Sequence, residues 1–324
     1  MTHNFCTYFD RNYLYRGVTM YRSLVKFTKD FRLWILCFDE QTYCLLSKMN
    51  LGNVELISLE EFEDPELREI KNHRTPVEYF WTCTPSLPLY ILRRHPDLDM
   101  ITYLDSDLYF FSDPAPIFEG LGNGSIILTE HRYAQDAERR VKKYGRYNVQ
   151  FLTFRNDETG RSALRWWRER CLEWCSVECK DGKFGDQKYL DDWVDRFQGV
   201  HVTTNKGVGL APWNIAAYDI RRVSDKVLVD EDELIFYHFH SLSIYSKTLY
   251  NLTPVKLTQI QKRLIYVQYL SDLAKIMDEV ERQDRFFKEG ISILKFNRTK
   301  DIAWILISLM RGNIMCFRPS INSG

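Results

Sequence analysis

The chain has no glycine-rich phosphate loop. Neither the G-x-G-x-x-G pattern nor G-x-x-x-x-G-K-[ST] occurs among its 324 residues, so backbone amides in a tight glycine turn are not what holds any nucleotide it binds. It has no excess charge of either sign: Lys+Arg and Asp+Glu are both 44. That removes the global basic field expected of a nucleic-acid binder, and no acidic tail appears either. It has no long apolar run, the nearest being Ile302–Met310, which ends at Arg311 and falls short of the roughly 18–20 residues a membrane span needs. Met1-Thr2-His3-Asn4 leads straight into a strand-like FCTYF without an apolar signal region, and the expectation is a protein acting in the cytoplasm. Eight cysteines in a chain of this length do not form a disulfide framework. Cys171, Cys175 and Cys179 fall at i, i+4, i+8 beside Trp167 and Trp174, which reads as the buried face of a helix over Ser162–Cys179. No repeat or low-complexity segment occurs.

What is present is 45% hydrophobic and 15% aromatic residues, ample for one large α/β domain or a domain with an appendage. Phe5–Phe9, Phe31–Phe38 and Val54–Leu59 read as strands separated by helical periods, a β-α-β-α-β opening common in nucleotide-binding α/β folds. Glu60–Lys71 reads as a helix, and Tyr79–Arg94 as a helix interrupted by Pro85 and Pro88. Ser125–Thr129, Asn148–Phe154, Val200–Thr203 and Leu234–Phe239 are further strands. Pro254 marks a change of character: 1–250 reads as a catalytic domain and 251–324 as a helical C-terminal appendage.

The chain is organised around MITYLDSDLYFFSDP, Met100–Pro114. An apolar strand stops at Asp105-Ser106-Asp107 and resumes at Leu108. Two carboxylates one residue apart at a strand end repel each other and resist desolvation unless a cation joins them. Hard oxygen ligands suit Mn²⁺ or Mg²⁺, cations that commonly share their coordination sphere with substrate phosphates. The competing reading is simple turn capping by Asp105 and Asp107. A second cluster closes the strand LIFYHFH, where His238 and His240 flank Phe239 and a period of two puts both on one face. With Asp105 and Asp107, His238 makes an O,O,N set that fits Mn²⁺. Gly185-Asp186-Gln187 adds a carboxylate and an amide in a loop that glycine lets approach a ligand. The run Arg139–Arg146 is a solvated basic helix and loop. Of the tryptophans Trp81, Trp166, Trp167 and Trp213, the last sits in a Gly/Pro loop suited to a ligand contact.

FCTYFDRNYLYRG, YLDSDLYFFSDP, GDQKYLDDW and HFHSL occur in that order, and together they resemble the retaining glycosyltransferases of the glycogenin and bacterial lipopolysaccharide galactosyltransferase family, over roughly residues 3–250. The resemblance implies an α/β GT-A nucleotide-sugar transferase fold, a Rossmann-like sheet joined to a smaller second sheet. It implies transfer of a sugar from a nucleoside-diphosphate donor, a UDP-sugar, to a glycan or lipid-linked glycan, with retention. Asp105, Asp107 and His238 would ligate Mn²⁺ or Mg²⁺. Thr7, Tyr8 and Tyr13 would bind the donor, Thr7 by a hydroxyl close to the backbone and Tyr13 by stacking on uracil. Asn148 and Trp213 would contact sugar, and Asp186 and Gln187 would line the reaction centre. Ser241 replaces the family's glycine and the family's following Lys-Pro-Trp is absent, so either Lys206 or Lys247 meets the diphosphate or that role is lost. The alternatives are a haloacid-dehalogenase-like phosphatase, whose Asp-x-Asp strand opens its domain and is not preceded by β-α-β-α-β, a catalytically inactive sugar-binding protein, and a metal-dependent nuclease, disfavoured by the charge balance. The aromatic-apolar stretch from Trp304 to Met310, flanked by Arg298, Lys300, Arg311 and Arg318, is expected either to lie at the inner face of a plasma membrane or to pack on the catalytic domain or a second copy of the chain.

Overall fold

The near-continuous apolar runs of Phe5–Phe9, Leu33–Cys37 and Met100–Leu104, broken only by Thr7 and Thr102, demand strands covered on both faces. The computed structural model, which describes residues 2–292 and 299–317, builds them into one large sheet. Its strands are β1 (His3–Phe9), β2 (Phe31–Cys37), β3 (Val54–Ser58) and β4 (Met100–Leu104). After the short β5 (Leu108–Phe110) come β6 (Ile126–Glu130), β7 (Tyr147–Arg155) and β8 (Val200–Val202). The seven-stranded order is β3-β2-β1-β4-β7-β6-β8, parallel throughout except for β7, which runs against both β4 and β6. Alternation along the strands sends Phe5, Ile35 and Phe151 into one core and Cys6, Trp34 and Leu152 into the other.

Smaller sheets follow. The ribbon β9 (Ile220–Val223), β10 (Lys226–Val229) and β11 (Asp232–Glu233) is antiparallel. Then β12 (Phe236–His238) pairs with β5, while β13 (Ser243–Ile244), β14 (Leu249–Asn251) and β15 (Ile314–Cys316) form a third small sheet.

Among the helices are α1 (Leu14–Phe27), α2 (Pro76–Cys83), α3 (Ser86–Arg94), α4 (Ala137–Tyr144), α5 (Glu158–Glu173), α6 (Val267–Gln283) and α7 (Thr299–Met310). The fold is α/β with a dominant parallel sheet, as the strand pattern requires. Local boundaries correct several expectations. Pro88 does not interrupt α3, because it lies in the first turn, where its missing N–H had no helical partner. Residues 60–71 form two short helices, Leu59–Phe62 and Pro65–Lys71, each with its own cap, Ser58 and Asp64. The helix expected over Ser162–Cys179 ends at Glu173, where Trp174 turns extended at φ −156°. Cys175 and Cys179 are therefore off the helix; Cys171 and Cys175 are buried and Cys179 is exposed, so no helical three-cysteine face exists.

Residues beyond 250 share the main core. Tyr266, Tyr269 and Leu273 belong to the same buried cluster as Phe5 and Tyr109. Phe239 stacks on Tyr269 with 3.7 Å between ring centroids, Tyr109 donates to Asp272 at 2.6 Å, and Arg22 of α1 pairs with Glu279 of α6 at 2.8 Å. β14 crosses residue 250 and is zipped to β15. Arg298 and Arg318, the basic flanks expected around α7, lie outside the described residues.

Candidate active site

Strand β4 ends at Leu104, and the Asp105-Ser106-Asp107 turn carries the chain into β5. The turn is pinned from both sides: Asp105 N–H donates to the Gln150 carbonyl of β7 at 2.9 Å, and Phe239 N–H donates to the Asp107 carbonyl at 2.9 Å. Pairing of β12 with β5 sets Tyr237 opposite Tyr109 and His238 opposite Leu108. That register brings His238 to the two aspartates. Its Nε2 lies 2.9 Å from Asp107 Oδ1 and 3.7 Å from Asp105 Oδ2. Asp107 and His238 are 8% and 5% exposed.

Burial would lift both carboxyls, and they part company because His238 sits closer to one. Asp105 is raised to about 6 by burial and by the charge of Asp107, with His238 opposing. Against the same burial, the imidazole and its hydrogen bond hold Asp107 down near 2. Burial would lower His238, but Asp107 outweighs it and the net direction is up. One imidazole does not compensate the buried Asp107 and the half-buried Asp105 together, an environment that a divalent cation relieves. Asp107, His238 and His240 each offer a ligand atom, and these atoms lie within 4.8 Å of one another. The donor set fits a divalent cation, with Asp105 beside it.

Two side chains that sequence reasoning passed over hold this arrangement. Gln150 accepts a hydrogen bond from His238 Nδ1 at 2.8 Å, so the protonated ring donates from Nε2 to Asp107, and loss of that proton frees Nε2 as a ligand atom. Arg16 of α1 is buried, donates to the Leu242 carbonyl at 2.9 Å, stacks over Tyr13 at 4.8 Å, and its charge acts on Asp107. The two candidate lysines are engaged elsewhere: Lys206 pairs with Asp230 at 2.7 Å, and Lys247 with Asp278 and Glu281.

A second carboxylate stands behind the first. Asp186 is 6% exposed, and its backbone carbonyl accepts from the Trp167 indole at 2.8 Å. Burial, joined by the charge of Asp105 and opposed by the Thr84 hydroxyl, raises its side chain to about 7. Tyr103 donates to Asp105 at 3.1 Å and Tyr8 bonds Thr84 at 2.9 Å. Tyr8 and Tyr103 lie ring to ring at 5.5 Å, so the two tyrosines and Thr84 bridge the two acidic centres. Gln187 opens a short 3₁₀ turn and donates to the Tyr144 carbonyl at 2.9 Å, docking the end of basic helix α4 beside the site.

Of the other expected donor-binding residues, Thr7 is fully buried with its hydroxyl unpartnered among the described residues, while Tyr13 is 44% exposed with the Arg16 guanidinium over one face of its ring. Trp213 packs edge-on against His238 and His240 at 5.3 and 5.6 Å, which places its loop beside the Asp107, His238 and His240 grouping. Asn148 is buried and occupied: it donates to His131 Nε2 at 2.8 Å and accepts from Gln150 N–H at 2.7 Å. Burial drives His131 down to about 3, so it is a neutral acceptor. Trp167 is fully buried, and Trp81 lies 3.1 Å from where a side chain would project at Gly185, itself at φ +51°, so any other residue there is strained and crowds the indole.

No family model matches the chain. YfnD of Bacillus subtilis strain 168, a protein described as uncharacterized, is 33% identical over 293 residues, spanning 89% of this chain and 94% of YfnD. YfnF of the same organism is 36% identical over 255 residues, spanning 76% of this chain and 84% of YfnF. The chain belongs to the YfnD/YfnF family. The galactosyltransferase LgtC, solved with donor and acceptor sugar analogues, superimposes on this YfnD/YfnF-family protein with a TM-score of 0.55 at 16% identity, covering 84% of this chain and 95% of LgtC. An active-site variant of LgtC gives 0.54 at 14% identity, covering 85% and 95%. The YfnD/YfnF-family fold is thus the GT-A fold.

Proposed function

We propose that this YfnD/YfnF-family protein is a metal-dependent glycosyltransferase that moves a sugar from a nucleoside-diphosphate donor, a UDP-sugar, to a glycan or lipid-linked glycan, with retention at the anomeric carbon. The observation that carries the reading is the meeting of Asp107 and His238 at 2.9 Å, at the carboxyl end of a strand in a GT-A sheet, where open α/β sheets collect ligands. Asp105, Asp107 and His238 would hold Mn²⁺ or Mg²⁺, which when bound supplies Lewis-acid stabilisation to a departing diphosphate. Gln150 orients His238, so the ring presents the same nitrogen in every turnover. Thr7 and Tyr8 of β1 and Tyr13 just beyond it would form the nucleoside-binding set, with the exposed Tyr13 offering the ring face that Arg16 does not cover and Thr7 an unspent hydroxyl. Asp186 and Gln187 face the developing positive carbon; a carboxylate or amide oxygen there stabilises an oxocarbenium-like transition state. Retention by same-face displacement needs no protein base, since the leaving phosphate can take the acceptor's proton.

The experiment is a Mn²⁺-supplemented panel of nucleotide sugars followed by NMR, since a transferase slowly hydrolyses its own donor without an acceptor. Release of nucleoside diphosphate plus free sugar from one member supports the reading. Release of inorganic phosphate from phosphomonoesters, with every nucleotide sugar intact, contradicts it and favours the phosphatase.

A further inference from the structure

His238 lies at the end of β12, and His240 follows in the turn beyond it. Between them Phe239 is 1% exposed and stacked on Tyr269 at 3.7 Å. In an extended stretch, anchoring the middle side chain in the core sends its two neighbours to the opposite face. Both imidazoles therefore face the aspartate turn, with ring centroids 5.7 Å apart and planes crossed at 82°. Trp213 rests its ring against both, and Ser241 reverses the chain at φ +67° directly after. The result is the grouping of Asp107, His238 and His240, whose ligand atoms lie within 4.8 Å of one another. Asp105 stands at the edge, 3.7 Å from His238.

We propose that His240 is a ligand of the cation, so that the site offers two imidazoles with its carboxylates and selects Mn²⁺, or another transition metal such as Co²⁺, strongly over Mg²⁺. The inference rests on the proposed metal site and goes beyond it by assigning a further ligand and a metal preference. Its physical basis is ligand softness. Mg²⁺ demands near-ideal octahedral oxygen and gives up water reluctantly, whereas imidazole nitrogen suits the first-row transition metals. Replacing one oxygen donor by a second nitrogen therefore weakens Mg²⁺ and strengthens its competitors. His240 is exposed in the turn beyond β12, so its removal takes no buried side chain from the core.

The test is metal binding by the purified chain, stripped with chelator and supplemented with UDP, read by calorimetry for Mn²⁺ and Mg²⁺ and by the visible absorption of Co²⁺. Wild type, His240→Ala, His240→Gln and Asp107→Asn are compared, with circular dichroism to confirm folding. The wild type is expected to prefer Mn²⁺ over Mg²⁺ by about 100-fold or more, and His240→Ala to lose about tenfold or more in Mn²⁺ affinity with little change for Mg²⁺. The Co²⁺ spectrum should shift in the same variant. Unchanged Mn²⁺ affinity and Co²⁺ spectrum in His240→Ala overturn the inference, as does a variant that loses UDP alone, which would make His240 an anion contact. If Asp107→Asn loses the metal while His240→Ala keeps it, the proposed function stands and only this inference falls. If wild type binds no divalent cation with UDP present, both fall.

Discussion

Asp186 is buried in a place that does not suit a carboxylate, and this costs stability. Its side chain is raised to about 7, with burial the first cause; the unfolded chain ionises near 4. A raised carboxyl binds its proton more tightly in the folded state, so folding is favoured at acid pH and the contribution turns unfavourable as pH climbs from about 4 through about 7. At roughly 1.4 kcal/mol per unit the penalty reaches on the order of 4 kcal/mol above pH 7. Asp186→Asn removes it: the variant should match the wild type near pH 4 and melt several degrees higher at pH 8, and equal melting temperatures across that range would refute the assignment. Retaining a destabilising group suits a catalytic role. Accordingly, Asp186→Ala should depress kcat by orders of magnitude while nucleotide affinity stays near wild type, because the interaction belongs to the transition state. A loss confined to nucleotide binding would instead place Asp186 at the diphosphate.

At the scale of elements, α2 shows how a local capping signal braces the site. Thr75 and Glu78 form a capping box, and the Glu78 carboxylate also accepts from Ser176 Oγ at 2.5 Å and Val177 N–H at 3.1 Å. That fastens the loop leading from α5 to Gly185 and Asp186. Burial would raise Glu78, but these bonds overcome it and bring the side chain to about 2. The stabilisation is present above the unfolded value near 4.5 and is lost as pH falls toward 2. Glu78→Ala should cost about 1–3 kcal/mol near neutrality, with the difference from wild type shrinking in acid melts; a constant difference would show that the carboxylate charge is not what matters. The other element to test is α7, whose Ile302, Leu306, Leu309 and Met310 are exposed, Met310 at 80%. No helix among the described residues is long and apolar enough to cross a membrane, but this face fits a lipid interface. The full chain should sediment with anionic liposomes at low salt, and a Leu306→Gln, Leu309→Gln double variant should remain in the supernatant; identical partitioning would make α7 structural.

The elements also show what the chain announces in advance. Continuous apolar runs broken by Asp105-Ser106-Asp107 and by His238 were legible because an apolar strand that stops at ionisable groups leaves them at the sheet end, where a ligand can meet them. The ribbon Ile220–Glu233 was not legible: IRRVSDKVLVDEDE is polar, its strands are two to four residues long, and Ser224 and Asp230 make its turns at positive φ without glycine. Gln150 sat within a strand pattern as an odd polar residue, and only the fold shows that it faces His238. Arg16 was hidden in the apolar period of α1.

For the whole molecule, the division near residue 250 is a division in sequence character, while packing continues across it. Tyr109, Tyr237 and Phe239, the apolar supports of the aspartate turn and of His238, are covered by Tyr266 and Tyr269. A chain stopped at residue 250 would expose them, together with the unpaired edge of β14, and is expected to be insoluble or to lack a cooperative melt; a soluble fragment with native melting would show that the catalytic part stands alone. The helical stretch that carries Tyr266 and Tyr269 is thus tied to the site through one layer of aromatic rings, and the chemistry proposed for residues 105–107 is expected to depend on it. The most direct test of that chemistry is calorimetric titration of UDP and UDP-sugars into the full chain with Mn²⁺ and after chelation, for wild type and Asp107→Asn. The account predicts binding by the Mn²⁺-loaded wild type, its loss on chelation, and its loss in Asp107→Asn with the melting temperature retained. Equal binding with and without the cation, or undiminished binding by Asp107→Asn, would contradict it.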